Sequence, residues 1–374
     1  MTVKSTQAKV VIVGAGLSGL VTAYKLAKQG IDFQLLEARE RFGGRILSCQ
    51  SSRSSACFDL GPSWFWPGQS HIENLIQELG LSKLVYRQYA TGDAVYQTQG
   101  GALQRGVSGI SMAGSYRLQG GLTSLIDALV DRIVKRGFGG RLHLSSTVFK
   151  VEKVSNKVCL SYRYSDSKTE LQLLSQQVVM ALPARIVLDN IEIYPGLNAD
   201  RHDELEAVAT WMAGQSKVVV EYARPFWRDA GFSGDVISQL GPMSEIHDAS
   251  SDSVGTESQA FALFGFLGVA AAERNQHAQQ LPNLIIAQLV TLFGDQAKTP
   301  INITIQDWAN EPLTASKYDQ NIPNHHPFNS WSSTIEPGWG GGLLWSGAEA
   351  ASDHTNGYLE GAILASEQTF EQLH

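Results

Sequence analysis

The sequence predicts an α/β fold built on a strand–turn–helix–strand unit near its start. Three observations carry that expectation. Val10 to Val13 is a wholly apolar, β-branched run, the pattern of a parallel strand buried on both faces. Gly14, Gly16 and Gly19 follow at once in G-x-G-x-x-G spacing. Leu17, Leu20, Val21, Tyr24 and Ala27 then recur at helical spacing up to Gly30, and Phe33 to Leu36 is a second apolar run that Glu37 ends.

Each piece has a physical purpose. Gly14 makes the tight turn off the strand, and Gly16 lets a pyrophosphate approach the backbone. Gly19 lets the helix pack close to the strand, while Leu17 and Ser18 open the helix, whose N-terminus favours phosphate. Glu37 lies 18 residues after Gly19, where a carboxylate accepts bonds from ribose hydroxyls. A lone G-x-G-x-x-G is weak. Strand, glycines, helix, second strand and acid in that order predict a Rossmann-type dinucleotide-binding domain.

Composition narrows the classes. The 374 residues suffice for about two or three domains. Apolar residues make up 43 % and charged residues 17 %, which excludes a disordered chain. The net charge of −7 argues against nucleic-acid and anionic-membrane partners. Cys49, Cys57 and Cys159 have neither the number nor the spacing of a disulfide framework or a zinc site, so no metal is expected. The lead-in MTVKSTQAK has no apolar signal core, and no stretch reaches membrane-spanning length. A soluble cytoplasmic protein is expected.

The second strand runs into Glu37-Ala38-Arg39-Glu40-Arg41-Phe42-Gly43-Gly44-Arg45. G-x-G-x-x-G followed by E-A-R-x-R-x-G-G-R resembles the flavin amine oxidase family, which includes monoamine, polyamine and L-amino-acid oxidases. The resemblance implies bound FAD, with Glu37, Ala38 and Arg39 at its ribose end and Gly43, Gly44 and Arg45 along its pyrophosphate and ribityl chain. Two glycines expose backbone N–H groups, and arginine suits a phosphate. Gly61-Pro62-Ser63-Trp64 resembles the family's turn beside the isoalloxazine, with Pro62 replacing the usual second glycine. Trp64, Phe65 and Trp66 are suited to a pocket wall or to plain core.

The remaining chain reads in order. Ser48 to Ala56 is a serine-rich loop, and His71 to Gly80 a helix ended by glycine. Val85 to Ala113 mixes short strands with glycine turns. Tyr116 to Gly121 resembles the family's return to the FAD domain, with a helix from Leu122 to about Lys135. Leu142 to Val151 and Val158 to Tyr164 read as strands; Val148 best matches the family's adenine-contacting valine. Val178 to Pro183 reads as another strand. Lys217, at the head of a β-branched strand followed by Pro225-Phe226-Trp227, resembles the monoamine oxidase segment whose lysine holds water against flavin N5. A cation there stabilises reduced flavin. His247 to Ser258 reads as a Ser/Asp-rich loop, Phe261 to Ala271 as an apolar strand suited to line a pocket, and Leu284 to Phe293 as a helix ended by Gly294.

Trp308 to Tyr318 matches the monoamine oxidase W-x-x-E-x-x-S-G-G-C-Y stretch in spacing. Lys317 occupies the position of the flavin-bonded cysteine, so FAD is expected to be non-covalent. Tyr318 matches one tyrosine of the aromatic cage before the flavin; His325 and His326 are expected to face solvent. Gly338 to Gly342 is a hinge. Gly347 and Glu349 resemble the end of the family's A-G-T-E strand, with Glu349 implied to bond ribityl hydroxyls. Thr355 to Ala362 resembles the start of its last helix. Gly357, Tyr358 and Leu359 open that helix towards the flavin, and Tyr358 matches the second cage tyrosine.

The resemblance implies two interleaved domains: FAD-binding from 1–65, 117–190 and 333–374, and a smaller α+β substrate domain from 66–116 and 191–332. A length below that of typical monoamine oxidases implies a trimmed substrate domain without a membrane anchor. The implied activity is oxidation of a small-molecule amine to an imine, with oxygen accepting the electrons as hydrogen peroxide. Lys217, Tyr318 and Tyr358 are the expected catalytic residues. Two alternatives stay open: a desaturase acting on C–C bonds of an apolar substrate, and a non-enzymatic flavoprotein. The sequence names neither the amine nor the oligomeric state.

Overall fold

A computed structural model describes residues 5–107, 112–167, 169–251, 259–320, 326, 334–352 and 354–373. Among these residues two large sheets carry the fold. In the first, Ser5–Val13 is central and parallel to both Phe33–Leu36 and Leu171–Met180. The apolar run has the reason expected of it: Val10 and Ile12 enter one core, while Val11 and Val13 enter another on the opposite face. Leu17–Lys28 joins the first two of these strands, and Thr123–Ile133 and Leu359–Glu371 pack on it. The long antiparallel strands Ser146–Val154 and Lys157–Tyr164 extend this sheet, and Leu343–Trp345 pairs with Leu171–Met180.

The second sheet runs Asn302–Asp307, Ser216–Tyr222, Phe261–Leu267, Met243–Asp248, Phe232–Ser238, Asp93–Gln97, Leu103–Arg105. Val218, Val220, Ile246 and Leu263 bury one face together with Ile285 and Leu289 of the helix Leu281–Phe293. Val219 and Phe264 turn the other way, onto Phe58, Leu60 and Trp64. That second face is what brings the two sheets together around the site.

Several elements differ from expectation. The helix Ser70–Leu79 buries Ile72, Leu75, Ile76 and Leu79 in the core of the first sheet, although 66–116 was expected in the substrate domain. Glu192–Tyr194, beyond the expected boundary at 190, pairs with Ser146–Val154 in the first sheet. Within the presumed loop 48–56, Ser48–Gln50 pairs with Cys57–Asp59. His247 and Asp248 close the strand Met243–Asp248 and are fully buried rather than in a loop; 252–258 lie outside the described residues. No helix among the described residues is long and apolar enough to cross a membrane.

Candidate cofactor and substrate site

A cavity of about 480 Å³ lies where the two sheets meet. Gly14, Gly16, Leu17, Ser18, Glu37, Arg39, Gly43, Gly44 and Arg45 line one part of it. Gly14 has φ +99°, and a Cβ there would lie 2.6 Å from Leu182 Cδ2. A Cβ on Gly19, which is not at the cavity, would lie 2.0 Å from Gly14 O, so this glycine permits the helix to seat against the turn. A Cβ on Gly16 would meet no protein atom within 4 Å and would project into the cavity. Gly16 caps Leu17–Lys28 with no side-chain bond and no acidic residue in the first turn, which leaves the opening amides for an anion.

A second helix end arrives from the far end of the chain. Tyr358 is the N-cap of Leu359–Glu371, also without a side-chain bond; Glu360 in its first turn accepts from His71 N and Ile72 N, and Gly357, Tyr358, Leu359 and Ala362 line the same cavity. Two helix dipoles thus place partial positive charge on it, each about half an elementary charge. Glu37, buried at the end of its strand, is oriented by its neighbours: Oε2 accepts from Ala15 N at 2.7 Å and Oε1 from Arg39 N at 2.9 Å. Arg45 holds Glu349 bidentately, at 2.6 and 3.1 Å, and donates to Trp211 O at 3.0 Å. Glu349 itself stands behind Arg45 and off the cavity wall; Ala38 and Gly19 are off it too. Val148 is buried in the first sheet's second core and does not line the cavity.

These features fit a dinucleotide: an open glycine floor, two unsatisfied helix ends, and a buried carboxylate held in place.

Gly61, Pro62, Ser63, Trp64 and Trp308 line the cavity between its two ends. Trp308 Nε1 donates to Leu60 O at 2.9 Å, and Lys217 Nζ donates to Gly61 O at 2.9 Å and Ser63 Oγ at 2.5 Å. Lys217 is 2 % exposed, with Nζ 4.1 Å from the centre of the Phe264 ring. Burial pushes its pKa down to about 7, against the pull of Asp59. Asp59 in turn is pushed up by burial, in spite of Arg117 and Lys217. Lys217 therefore reaches the cavity while clamping the turn that forms its middle wall.

Tyr318 and Tyr358 are not brought together. Tyr318 is 50 % exposed and does not line the cavity. The cause is local. Ser316 and Asp319 form a capping box over Lys317–Asp319, and Arg185 holds Asp319 inward at 2.5 Å, which turns Tyr318 outward. Trp211 and His326 accompany Tyr358 instead, at ring-centre distances of 5.8 and 4.6 Å, and His326 lies within 6° of parallel to Tyr358. His326 is thus a stacked side chain rather than a solvent-facing one; His325 lies outside the described residues. Lys317, fully exposed, has its pKa raised by a hydrogen bond with Tyr318.

Sequence reasoning missed Trp211, Gln215 and Glu245, all of which line the cavity; Phe266, also on its wall, lies in the apolar stretch expected as a pocket-lining strand. Trp211 and Gln215 stand within the stretch that drew attention to Lys217. For Glu245 the sequence carried no clear signal: Met243 to Asp248 shows no apolar–polar alternation, and its place at the cavity follows from pairing with Phe261–Leu267.

Comparisons with known proteins bear on the fold and the family. A Dictyostelium discoideum protein described as "Probable flavin-containing monoamine oxidase A" is 24 % identical over 454 aligned positions, covering 96 % of both chains. Putrescine oxidase of Kocuria rosea is 35 % identical over 126 residues, 33 % of this chain and 26 % of that one. Cyclohexylamine oxidase from Brevibacterium oxydans superposes with a TM-score of 0.79 at 18 % identity, covering 98 % of this chain and 99 % of that one. A putrescine oxidase structure with putrescine bound gives 0.78 at 19 %, with the same coverage. The model of the flavin containing amine oxidoreductases matches residues 17–108 and 102–369, and the chain belongs to that family.

Proposed function

We propose that this protein binds FAD non-covalently and oxidises an amine to an imine, with oxygen reoxidising the flavin to give hydrogen peroxide. The observation that carries this reading is the convergence of two uncapped helix N-termini, Glu37 and an aromatic wall on one cavity. Family membership and the amine oxidases among the relatives support it. We assign the flavin to the cavity wall built on the first sheet, and the amine to the wall formed by the second.

The chemistry FAD supplies when bound is two-electron oxidation of the carbon next to the amine nitrogen and return of those electrons to dioxygen. The chain supplies position and environment. The amides at Leu17 and Ser18 face the pyrophosphate, Glu37 takes the ribose hydroxyls, and Arg45, held by Glu349, takes the next portion. The helix end at Tyr358 favours negative charge on the ring system. Trp64, Trp211, Phe266 and Tyr358 exclude water and so favour the neutral amine that can be oxidised. Lys217 holds the Gly61–Trp64 turn through Gly61 O and Ser63 Oγ, and its depressed pKa lets it change charge near neutrality.

Non-covalent attachment rests on Lys317, which cannot form a flavin thioether. Acid precipitation of the purified protein should leave yellow flavin in the supernatant; flavin retained in the pellet would refute this point. Incubation with amines in air should give peroxide and a carbonyl product in equal amounts. A purified, flavin-loaded protein that gives no peroxide with any monoamine, diamine or L-amino acid would overturn the activity.

A further inference from the structure

The cavity holds a carboxylate that oxidation of a simple amine does not use. Glu245 stands directly across from Phe266, and Phe266 from Lys217, so the three side chains form one row on the face of the second sheet that borders the cavity. Glu245 Oε1 lies 2.6 Å from His247 Nε2. His247, with no exposed surface, has its Nδ1 2.7 Å from Asp235 Oδ1. Burial opposes charge on this imidazole, yet its bonds with Asp235 and Glu245 prevail and hold its pKa above the ordinary value. An imidazolium between two carboxylates leaves one net negative charge in this cluster, faced across Phe266 by Lys217, whose ammonium is given over to Gly61 O and Ser63 Oγ and loses its charge above about pH 7. Glu245 Oε2 has no hydrogen-bond partner among the described residues. Gln215, which also borders the cavity, buries an Oε1 without a partner.

Two acceptors without donors, one of them anionic and rigidly held, call for a cationic donor. The basic side chains on the cavity wall do not supply it. Arg39 is turned to Thr314 and Glu311, Arg45 to Glu349, and Lys217 to Gly61 O and Ser63 Oγ. Among the described residues the same arrangement leaves no guanidinium on the cavity wall free to receive an amino-acid carboxylate.

We propose that Glu245, positioned by His247 and Asp235, binds a second cationic centre of the substrate, so that the site selects diamines and longer polyamines over monoamines and amino acids. This rests on the reading of the cavity as an amine-oxidising site.

The test compares 1,4-diaminobutane with butylamine, which have the same carbon chain, in the wild type and in Glu245→Gln, both loaded with FAD. The wild type should favour the diamine, and the ratio of the two kcat/KM values should fall by about tenfold or more in Glu245→Gln, chiefly through KM for the diamine. Glu245→Asp should recover part of the ratio. A ratio that does not change, or wild-type oxidation of butylamine without preference for the diamine, would overturn the inference while leaving amine oxidation intact. Failure of the wild type to oxidise any amine would overturn the parent reading instead. If Glu245→Gln does not hold flavin, inhibition of the wild type by bis-quaternary and mono-quaternary butanes decides: the dication should bind more tightly, and equal inhibition would overturn the proposal.

Discussion

Lys217 joins the architecture of the cavity to the chemistry proposed for it. Its ammonium is almost fully buried beneath the Gly61–Trp64 turn, and burial lowers its pKa from 10.5 to about 7. The folded value lies below the unfolded one. Below about pH 7 the folded chain carries a charge that burial penalises, and the penalty disappears as pH rises towards 10.5. The stability of the wild type relative to Lys217→Met should therefore increase with pH from 7 upwards, and denaturant titrations at several pH values will show this; a constant difference would contradict the buried-charge account. Lys217→Met should also keep FAD bound while slowing flavin reduction or reoxidation by about tenfold. Stopped-flow rates unchanged in both half-reactions would remove Lys217 from the mechanism. The lysine stood out in the sequence through the resemblance of its segment to that of monoamine oxidases; its place before a β-branched run alone marks an ordinary strand-end lysine. Its contacts with Gly61 O and Ser63 Oγ, 156 and 154 residues away, did not stand out.

The glycine turn and the two helix ends are the elements on which the proposed cofactor site rests, and two substitutions separate packing from binding within the turn. Gly19→Ala places a Cβ 2.0 Å from Gly14 O and should destabilise the apoprotein by about 1–3 kcal/mol. Gly16→Ala meets no protein atom, so the apoprotein should stay within about 0.5 kcal/mol of the wild type. The same methyl group occupies the cavity floor, so FAD affinity should fall by about tenfold or more, as measured by fluorescence quenching on titration. Full FAD affinity in Gly16→Ala would contradict the placement of the pyrophosphate. This unit was legible because its parts are contiguous: strand, glycines and helix lie within 24 residues, from Ser5 to Lys28. The last helix was legible as a start signal at Gly357 to Leu359. The turn at Ser316–Asp319 was not, because the spacing from Trp308 to Tyr318 does not reveal that Arg185, 134 residues from Asp319, fixes which side faces inward.

In the whole molecule, two sheets meet at a cavity to which both ends and the middle of the chain contribute. The first sheet could be read from continuous apolar runs that bury both faces. The second was harder, since its strands come from 93–105 and 216–307 and its inner row of Lys217, Phe266 and Glu245 exists only after pairing. Burial of Ser70–Leu79 against the first core likewise depends on tertiary packing that an amphipathic pattern does not specify. The central claim is that this cavity joins a flavin to an amine. An anaerobic absorbance titration tests it most directly: monoamines, diamines and L-amino acids are added in turn to purified flavin-loaded protein while the oxidised flavin band is followed. The account predicts bleaching by amines, with diamines effective at the lowest concentrations. No bleaching by any amine, with the flavin still reducible by dithionite, would contradict it.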